Sequence, residues 1–285
     1  MKTRYYMVAG HRFGVTAADA FFALMGNYEY FATADSSTEP VFALTIEQGK
    51  AVDYTEQIRQ EEEGQTIICG KTTDGKSVFE FIWWGATAGW LVSAADYRED
   101  RLIITGQYTK MAIDNALMVL FALATADKGT VLFHAAVVSH KGRGYMFLGP
   151  SGTGKSTHAG LWVKYIEGTA LVNDDNPVVR LDSAGQAVVY GSPWSGKTPC
   201  YRNVSYPLGG LVELSQARYN KIRRLGAINA YIAIMVSISG SRWEDFIAKG
   251  LYDTENTLLT SVAVWHLECL PDRGAVELCQ STITI

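Results

Sequence analysis

In the N-terminal part of the chain, apolar residues come in short runs separated by turn-forming residues. Arg4–Val8, Tyr28–Ala32, Val41–Ile46, Gln65–Cys69, Ser77–Trp83, Trp90–Ala94 and Arg101–Thr105 each have the length and composition of a strand. Asp74-Gly75 falls between two of these runs, and both residue types accept the positive φ of a tight hairpin turn. The period lengthens at Lys110. Met111, Ala112, Ala116, Leu117, Leu120, Phe121 and Leu123 recur at helical spacing, and the segment closes on Lys128-Gly129, a basic last turn followed by a glycine stop. This pattern predicts a helix over Lys110–Asp127 that bridges into a second unit.

Beyond Thr130 strand and helix patterns alternate. Strands are predicted at Val131–Val138, Gly144–Leu148, Ala170–Asn173, Gly210–Leu214 and Val264–Cys269. Pro177–Leu181 and Ala187–Gly191 read as a hairpin around Asp182-Ser183-Ala184-Gly185. Helices are predicted at Ser156–Tyr165, Ala227–Ile238 and Trp243–Val262. The expected class is α/β (α+β overall): a β-rich N-terminal domain over residues 1–108, then an α/β nucleotide-binding domain over 109–285 that includes the bridging helix.

Composition narrows the function. The chain is 48% hydrophobic and 19% charged, which supports a folded core and excludes disorder and collagen-like repeats. Asp+Glu (29) outnumber Lys+Arg (25) and no basic block occurs, so a nucleic-acid partner is not expected. Four widely spaced cysteines without a CxxC fit reduced thiols better than a zinc or disulfide framework. The start, MKTRYYMVAGHRFGV, is broken by His11 and Arg12 and reads as a strand, not a leader. Met111–Ala126, the most apolar window, contains Asp114 and Asn115 and reads as too short to cross a bilayer. A cytoplasmic protein with no membrane partner is the expectation. Glu61, Glu62 and Glu63 read as a solvated face. Trp83, Trp84 and Trp90 read as core or interface aromatics.

The strongest chemical signal is Gly149-Pro150-Ser151-Gly152-Thr153-Gly154-Lys155-Ser156, a full match to GxxxxGK(S/T), between a predicted strand and a predicted helix. Glycines there let backbone N–H groups wrap a phosphate, and the following helix adds the positive end of its dipole. The binding segment is expected to run from Gly149 to Thr157, with Lys155 on phosphate oxygens and the Ser156 hydroxyl on Mg²⁺. A second signal is Asn173-Asp174-Asp175 at the end of a predicted strand. Carboxylates there can hold Mg²⁺, and one of them can accept a proton from a hydroxyl. A third is the loop Tyr190–Lys197, where Lys197 or the nearby Arg202 could neutralise charge on a moving phosphoryl group. Arg223 and Arg224 are weaker candidates of the same kind. His158 reads as a bystander, and His140 as an exposed residue of a polar turn.

Two stretches together, FHAAVVSHKGRGYMFLGPSGTGKSTHAGLW and LVNDDNPVVRL, resemble HPr kinase/phosphorylase and its relatives in the phosphoenolpyruvate carboxykinase-like superfamily. The resemblance covers the C-terminal half, best between Phe133 and Asn203. It implies a P-loop kinase domain with a mixed central sheet and an ATP- and Mg²⁺-dependent phosphotransferase. The acceptor would be a hydroxyl, foremost serine, of a protein, peptide or small molecule. It places His134 near metal and phosphates, makes Asp174 the general base, and sets Asp175 nearer Mg²⁺ alongside Asp174 and Ser156. It also implies a homo-oligomer. Thr157-His158 stand where many HPr kinases carry glutamate, which brings the loop closer to the carboxykinase pattern. The alternative is a nucleotide-binding regulatory or scaffold protein without phosphotransfer.

Overall fold

Two mixed sheets organise the chain. The computed structural model describes every residue except Glu63, Lys197 and Ile285, and it divides into the units Met1–Thr125 and Ala126–Ile285.

The first unit contains β1 (Lys2–Val8), β2 (His11–Ala17), α1 (Asp19–Phe22), β3 (Ala43–Gln48), β4 (Thr55–Glu62), β5 (Gln65–Lys71), β6 (Ser77–Trp83), β7 (Ala86–Ser93), β8 (Glu99–Ile104) and α2 (Thr109–Thr125). Its eight strands pair in the order β1-β2-β3-β8-β7-β6-β5-β4. β4 to β8 form an antiparallel meander, while β3 runs parallel to both β2 and β8. Asp74-Gly75 turns β5 into β6, with Gly75 at φ 84°.

Several expectations need correction. Tyr28–Ala32 is not a strand. Gly26–Phe31 forms a 3₁₀ helix that buries Tyr28 and Phe31, a spacing of three that one face of a 3₁₀ turn presents. The start is strand, as expected, though in two pieces, with His11 and Arg12 buried within β2. Arg12 sets its guanidinium 3.6 Å from the Tyr5 ring centroid and donates to the Thr38 carbonyl at 3.0 Å, so its charge is accommodated. The mostly polar, mostly exposed strand β4 carries no apolar period; its charges suit the sheet edge it occupies. Trp90 packs in the core with Val78 and Ile103, whereas Trp84 is 71% exposed.

The bridging helix α2 belongs to the first unit, so the boundary falls after it rather than before it. It packs on β6, β7 and β8, and Phe121 meets Phe13 edge-on at 6.3 Å. Thr109–Lys128 is the one helix among the described residues long and apolar enough to cross a membrane by length and composition. That differs from the expectation for this window, of which 67% is buried inside the chain.

The second unit contains β9 (Thr130–Phe133), β10 (Ala135–His140), β11 (Arg143–Leu148), α3 (Lys155–Tyr165), β12 (Thr169–Asp175), β13 (Val178–Leu181), β14 (Ala187–Tyr190), β15 (Ser205–Gln216), β16 (Lys221–Arg224), α4 (Ala227–Ser237), β17 (Ile238–Ser239), α5 (Asp245–Ser261), β18 (Val264–Cys269) and α6 (Arg273–Ile283). The sheet path is β12-β10-β11-β15-β14-β13-β9-β17, with β18 beside β15 and β16 beyond it. β15 is parallel to β11 and to β18, and the remaining pairs are antiparallel. The first residues of the long β15 pair with β14 and the rest with β11 and β18, so one strand joins two sub-sheets.

The apolar run Val131–Val138 is two strands, not one. The break is at His134, whose N–H donates to the Ser237 carbonyl at 2.7 Å. β9 then pairs with β13 and β17, and β10 with β11 and β12. α3 and α6 cover one face of the sheet, where the fully buried Trp162 stacks on Tyr145 at 5.7 Å among Val212, Leu214, Leu267, Val276 and Cys279. α6 is an element the apolar pattern did not predict. Its cap, Asp272 accepting from the Ala275 N–H at 2.8 Å, and the buried series Ala275, Cys279, Ile283 are the signals that mark it.

Candidate functional site

β11 delivers the chain to Gly149, and the loop that follows reverses it into α3. Gly149, Gly152 and Gly154 take φ values of 139°, 77° and 106°, a region L side chains avoid. At Gly152 and Gly154 the need is conformational, since a Cβ there would meet nothing within 4 Å. Gly149 is also hemmed in: its Cβ would lie 3.3 Å from the Leu214 carbonyl oxygen. Thr153 closes the turn by donating from N and Oγ1 to the Pro150 carbonyl at 3.3 and 2.7 Å. Gln216 Nε2 fixes the far side by donating to the Gly152 carbonyl at 3.1 Å. Gly154 is the N-cap of α3 and has no side chain to cap with, which leaves the first-turn N–H groups for an external acceptor. Ser151, Ser156 and Thr157 are exposed along this loop.

Lys155 sits at the centre, only 8% exposed. Its Nζ donates to the carbonyls of Gly149 at 2.8 Å and Pro150 at 3.1 Å, and lies 2.8 Å from His134 Nε2. An ammonium group can only donate, so Nε2 accepts and the ring proton sits on Nδ1. That nitrogen faces Asp175 Oδ1 at 3.1 Å, and Asp175 Oδ2 accepts from Asn176 Nδ2 at 2.9 Å. A directed series runs from the loop lysine through His134 to Asp175. The break between β9 and β10 is what makes His134 available to it.

Asp175 holds φ 143°, a conformation rare for any residue but glycine. Such strain persists only where surrounding contacts over-determine it, and it gathers at functional positions. The contacts come from the loop after β14. Gly196 N donates to the Asp174 carbonyl at 2.5 Å, and Ser195 bridges to Asp175. A Cβ on Gly196 would stand 3.1 Å from that carbonyl and 3.2 Å from Asp175 Cβ. Asn173, fully buried, braces the same loop: its Nδ2 donates to Ser192 Oγ and to the Trp194 carbonyl, both at 3.1 Å, and its Oδ1 accepts from Asn176 N at 2.9 Å. Asp174 is buried beside it, 3% exposed.

The structure therefore links the glycine loop, Lys155, His134 and Asp175, with Asp174 the preceding residue of β12. Arg202 is held elsewhere: its Nη1 donates to the Leu171 carbonyl at 2.6 Å, three residues before Asp174 on β12. Lys197 lies outside the described residues. His158, read from the sequence as a bystander, is a core residue, accepting from Trp162 Nε1 at 3.1 Å and meeting Phe147 edge-on at 4.7 Å. Burial lowers its pKa to about 4, which keeps it neutral. His140 is buried at the end of β10 instead of exposed, its Nδ1 3.3 Å from Thr169 Oγ1, and burial lowers its pKa as well. The second and third sequence signals included Asn173 and Ser192 without giving either a role, and did not include Asn176. The polar residues flanking Asp174-Asp175 in a strand that is otherwise apolar were the available signal.

No group of three or more His, Cys, Asp or Glu side chains among the described residues is arranged to hold a metal by itself. What the site offers is oxygen donors, Ser156 with Asp174 and Asp175. That set suits a hard cation that completes its shell with water and substrate phosphates, as Mg²⁺ does.

Comparison with curated proteins returned no match. Residues 104–263 match the family model described as SynChlorMet cassette protein ScmC. This span is more than half of the chain and includes His134, the glycine loop, Asp174, Asp175 and Arg202. The chain belongs to the ScmC family.

Proposed function

We propose that this protein is a Mg²⁺-dependent phosphotransferase that moves the terminal phosphoryl group of ATP to a hydroxyl of a protein, peptide or small molecule. The observation that carries the reading is the hydrogen-bonded series from Lys155 through His134 to Asp175, set against a glycine loop and next to a buried second carboxylate. The resemblance of both motifs to HPr kinase/phosphorylase, and the P-loop kinase fold that goes with it, support the same reading.

When bound, Mg²⁺ would neutralise phosphate charge; Ser156 and Asp175 are the residues to hold it, with Asp174 adjacent. The chain's own groups do the rest. The uncapped first-turn N–H groups of α3 and the loop backbone receive phosphate oxygens. Lys155 exchanges its present acceptors, the Gly149 and Pro150 carbonyls and His134, for phosphate oxygens. Asp174 orients the acceptor hydroxyl and takes its proton. Arg202, engaged with β12, supports the strand that carries the carboxylates. Lys197, the next residue after Gly196 in sequence, is the cation to test for charge neutralisation.

The test is an ATP titration with Mg²⁺ on wild type and Lys155→Ala, followed by transfer of the γ-phosphate to proteins of a cell extract. The expected outcome is binding and transfer in wild type, with transfer lowered at least about 10²-fold in the variant. Undiminished transfer in Lys155→Ala overturns the reading. Binding with no transfer to any acceptor selects a nucleotide-dependent binding protein instead.

A further inference from the structure

A second polar cluster stands on the other side of the glycine loop from the carboxylates. In the sheet order β12-β10-β11-β15-β18, Asp174 lies two strands from the loop's strand β11 in one direction. Glu213 and Ser215 on β15 and His266 on β18 lie one and two strands away in the other. Glu213 Oε2 is 2.7 Å from His266 Nδ1, and Ser215 Oγ is 3.1 Å from His266 Nε2. A carboxylate accepts, so the ring proton is on Nδ1, and Nε2 accepts the Ser215 hydroxyl proton. These are the contacts of a hydroxyl nucleophile with its base, and of that base with the group that orients it.

Position matters as much as geometry. Val212, Leu214 and Leu267 point into the core around Trp162, so alternation puts Glu213, Ser215 and His266 on the opposite face. There the side chains of His266 and Glu213 retain 18% and 33% exposure. Arg223 pairs directly with His266 across β16 and β18, shares its face and is exposed. The strand carrying Ser215 also touches the loop twice, through the Leu214 carbonyl beneath Gly149 and through Gln216 on Gly152. Core packing does not call for a serine, a histidine, a carboxylate and an arginine on one solvent-reachable face at the edge of a phosphate loop.

We infer that Ser215 is itself a phosphoryl acceptor, with His266 as its base and Glu213 holding the ring. The inference rests on the nucleotide reading above. In the step, the Ser215 hydroxyl proton passes to His266 Nε2 and Oγ forms a bond to the terminal phosphorus of ATP. The bond from that phosphorus to the bridging oxygen breaks, and its electron pair leaves with ADP. Glu213 stabilises the imidazolium, and Arg223 is the cation on the same face to balance the new phosphoserine.

The experiment incubates the full chain with Mg²⁺ and ATP, maps phosphate by peptide mass spectrometry and measures ATP binding on the same wild-type sample. Phosphate is expected on Ser215, absent in Ser215→Ala and in Lys155→Ala. It should form about 10²-fold more slowly in His266→Gln. Glu213→Gln, which keeps the side chain's shape, should slow it as well. ATP binding without phosphate on Ser215 overturns this inference and leaves the nucleotide reading standing. An undiminished rate in His266→Gln overturns the role of the base. No ATP binding overturns the nucleotide reading and this inference together.

Discussion

Asn173 illustrates how much of this site depends on one side chain that touches no substrate. Its amide is fully buried and is tied to the loop at Ser192 and Trp194 and to Asn176, the residues on either side of the Asp174-Asp175 pair in space. Asn173→Ala would leave the buried Ser192 hydroxyl and Trp194 carbonyl without this donor, a loss of about 1–3 kcal/mol. It would also release Asp175 from its strained backbone. The expected outcome is a lower urea midpoint and a loss of transfer, with ATP affinity nearly unchanged because the glycine loop is intact. A variant that loses affinity and transfer in equal measure would place Asn173 in nucleotide binding instead. At this scale the sequence was informative where chemistry is written in residue type. GxxxxGK(S/T) and Asp174-Asp175 could be read directly. Arg202 could not be placed, because its engagement with the Leu171 carbonyl depends on a loop that returns to β12 from 31 positions away.

At the scale of elements, pairs of strands set the properties of single groups. On β7 and β8, Ser93 and Asp100 face each other in register, and their side chains are in hydrogen-bond contact. Ser93 Oγ donates to Asp100 Oδ1, a contact that favours the charged carboxylate but is outweighed by burial. Burial is the main cause raising the Asp100 pKa to about 7, with Asp96 and Glu99 adding repulsion. A carboxyl group raised in the folded state stabilises most below its unfolded pKa of about 3.9, and that contribution is lost as pH climbs through about 7. The first unit is thus expected to weaken between pH 5 and pH 8, by roughly 3 kcal/mol at most. Asp100→Asn, which keeps an oxygen acceptor toward Ser93 and does not ionise, should flatten the change. Urea unfolding at the two pH values checks it, and equal pH dependence in wild type and variant would rule out Asp100 as the source. Elements were legible where one face is apolar. The hairpin at Asp74-Gly75, α3 and the pair β13–β14 match their predicted spans closely. Where both faces are buried, as in β9 and β10, periodicity carries no mark of the break at His134, because the break is imposed by Ser237 from a distant helix end. α2 is apolar nearly all round, so its pattern predicts a helix without showing which sheet it covers.

At the scale of the whole chain, the candidate site is a meeting of segments that are remote in sequence. The loop at 149–157, the end of β12 and the loop at 191–196 converge only because β10 runs antiparallel between β11 and β12 and because β14 returns toward β12. The family match, residues 104–263, spans all three segments. A ligand that engages the site as proposed must therefore leave its mark on all of them at once. Hydrogen exchange read by mass spectrometry tests this directly. With Mg²⁺ and ATP, peptides covering 149–157 are expected to gain protection, since uncapped N–H groups at the start of α3 acquire acceptors. Peptides covering 191–196 should gain it in the same titration, because the Gly196 N–H is bonded to the carbonyl of Asp174, the proposed base, and ordering Asp174 orders that bond. Lys155→Ala should abolish both effects together. Protection confined to 149–157 would mean that the loop binds phosphate without engaging the carboxylates. The series from Lys155 to Asp175 would then be a feature of the folded chain alone and not part of a catalytic site.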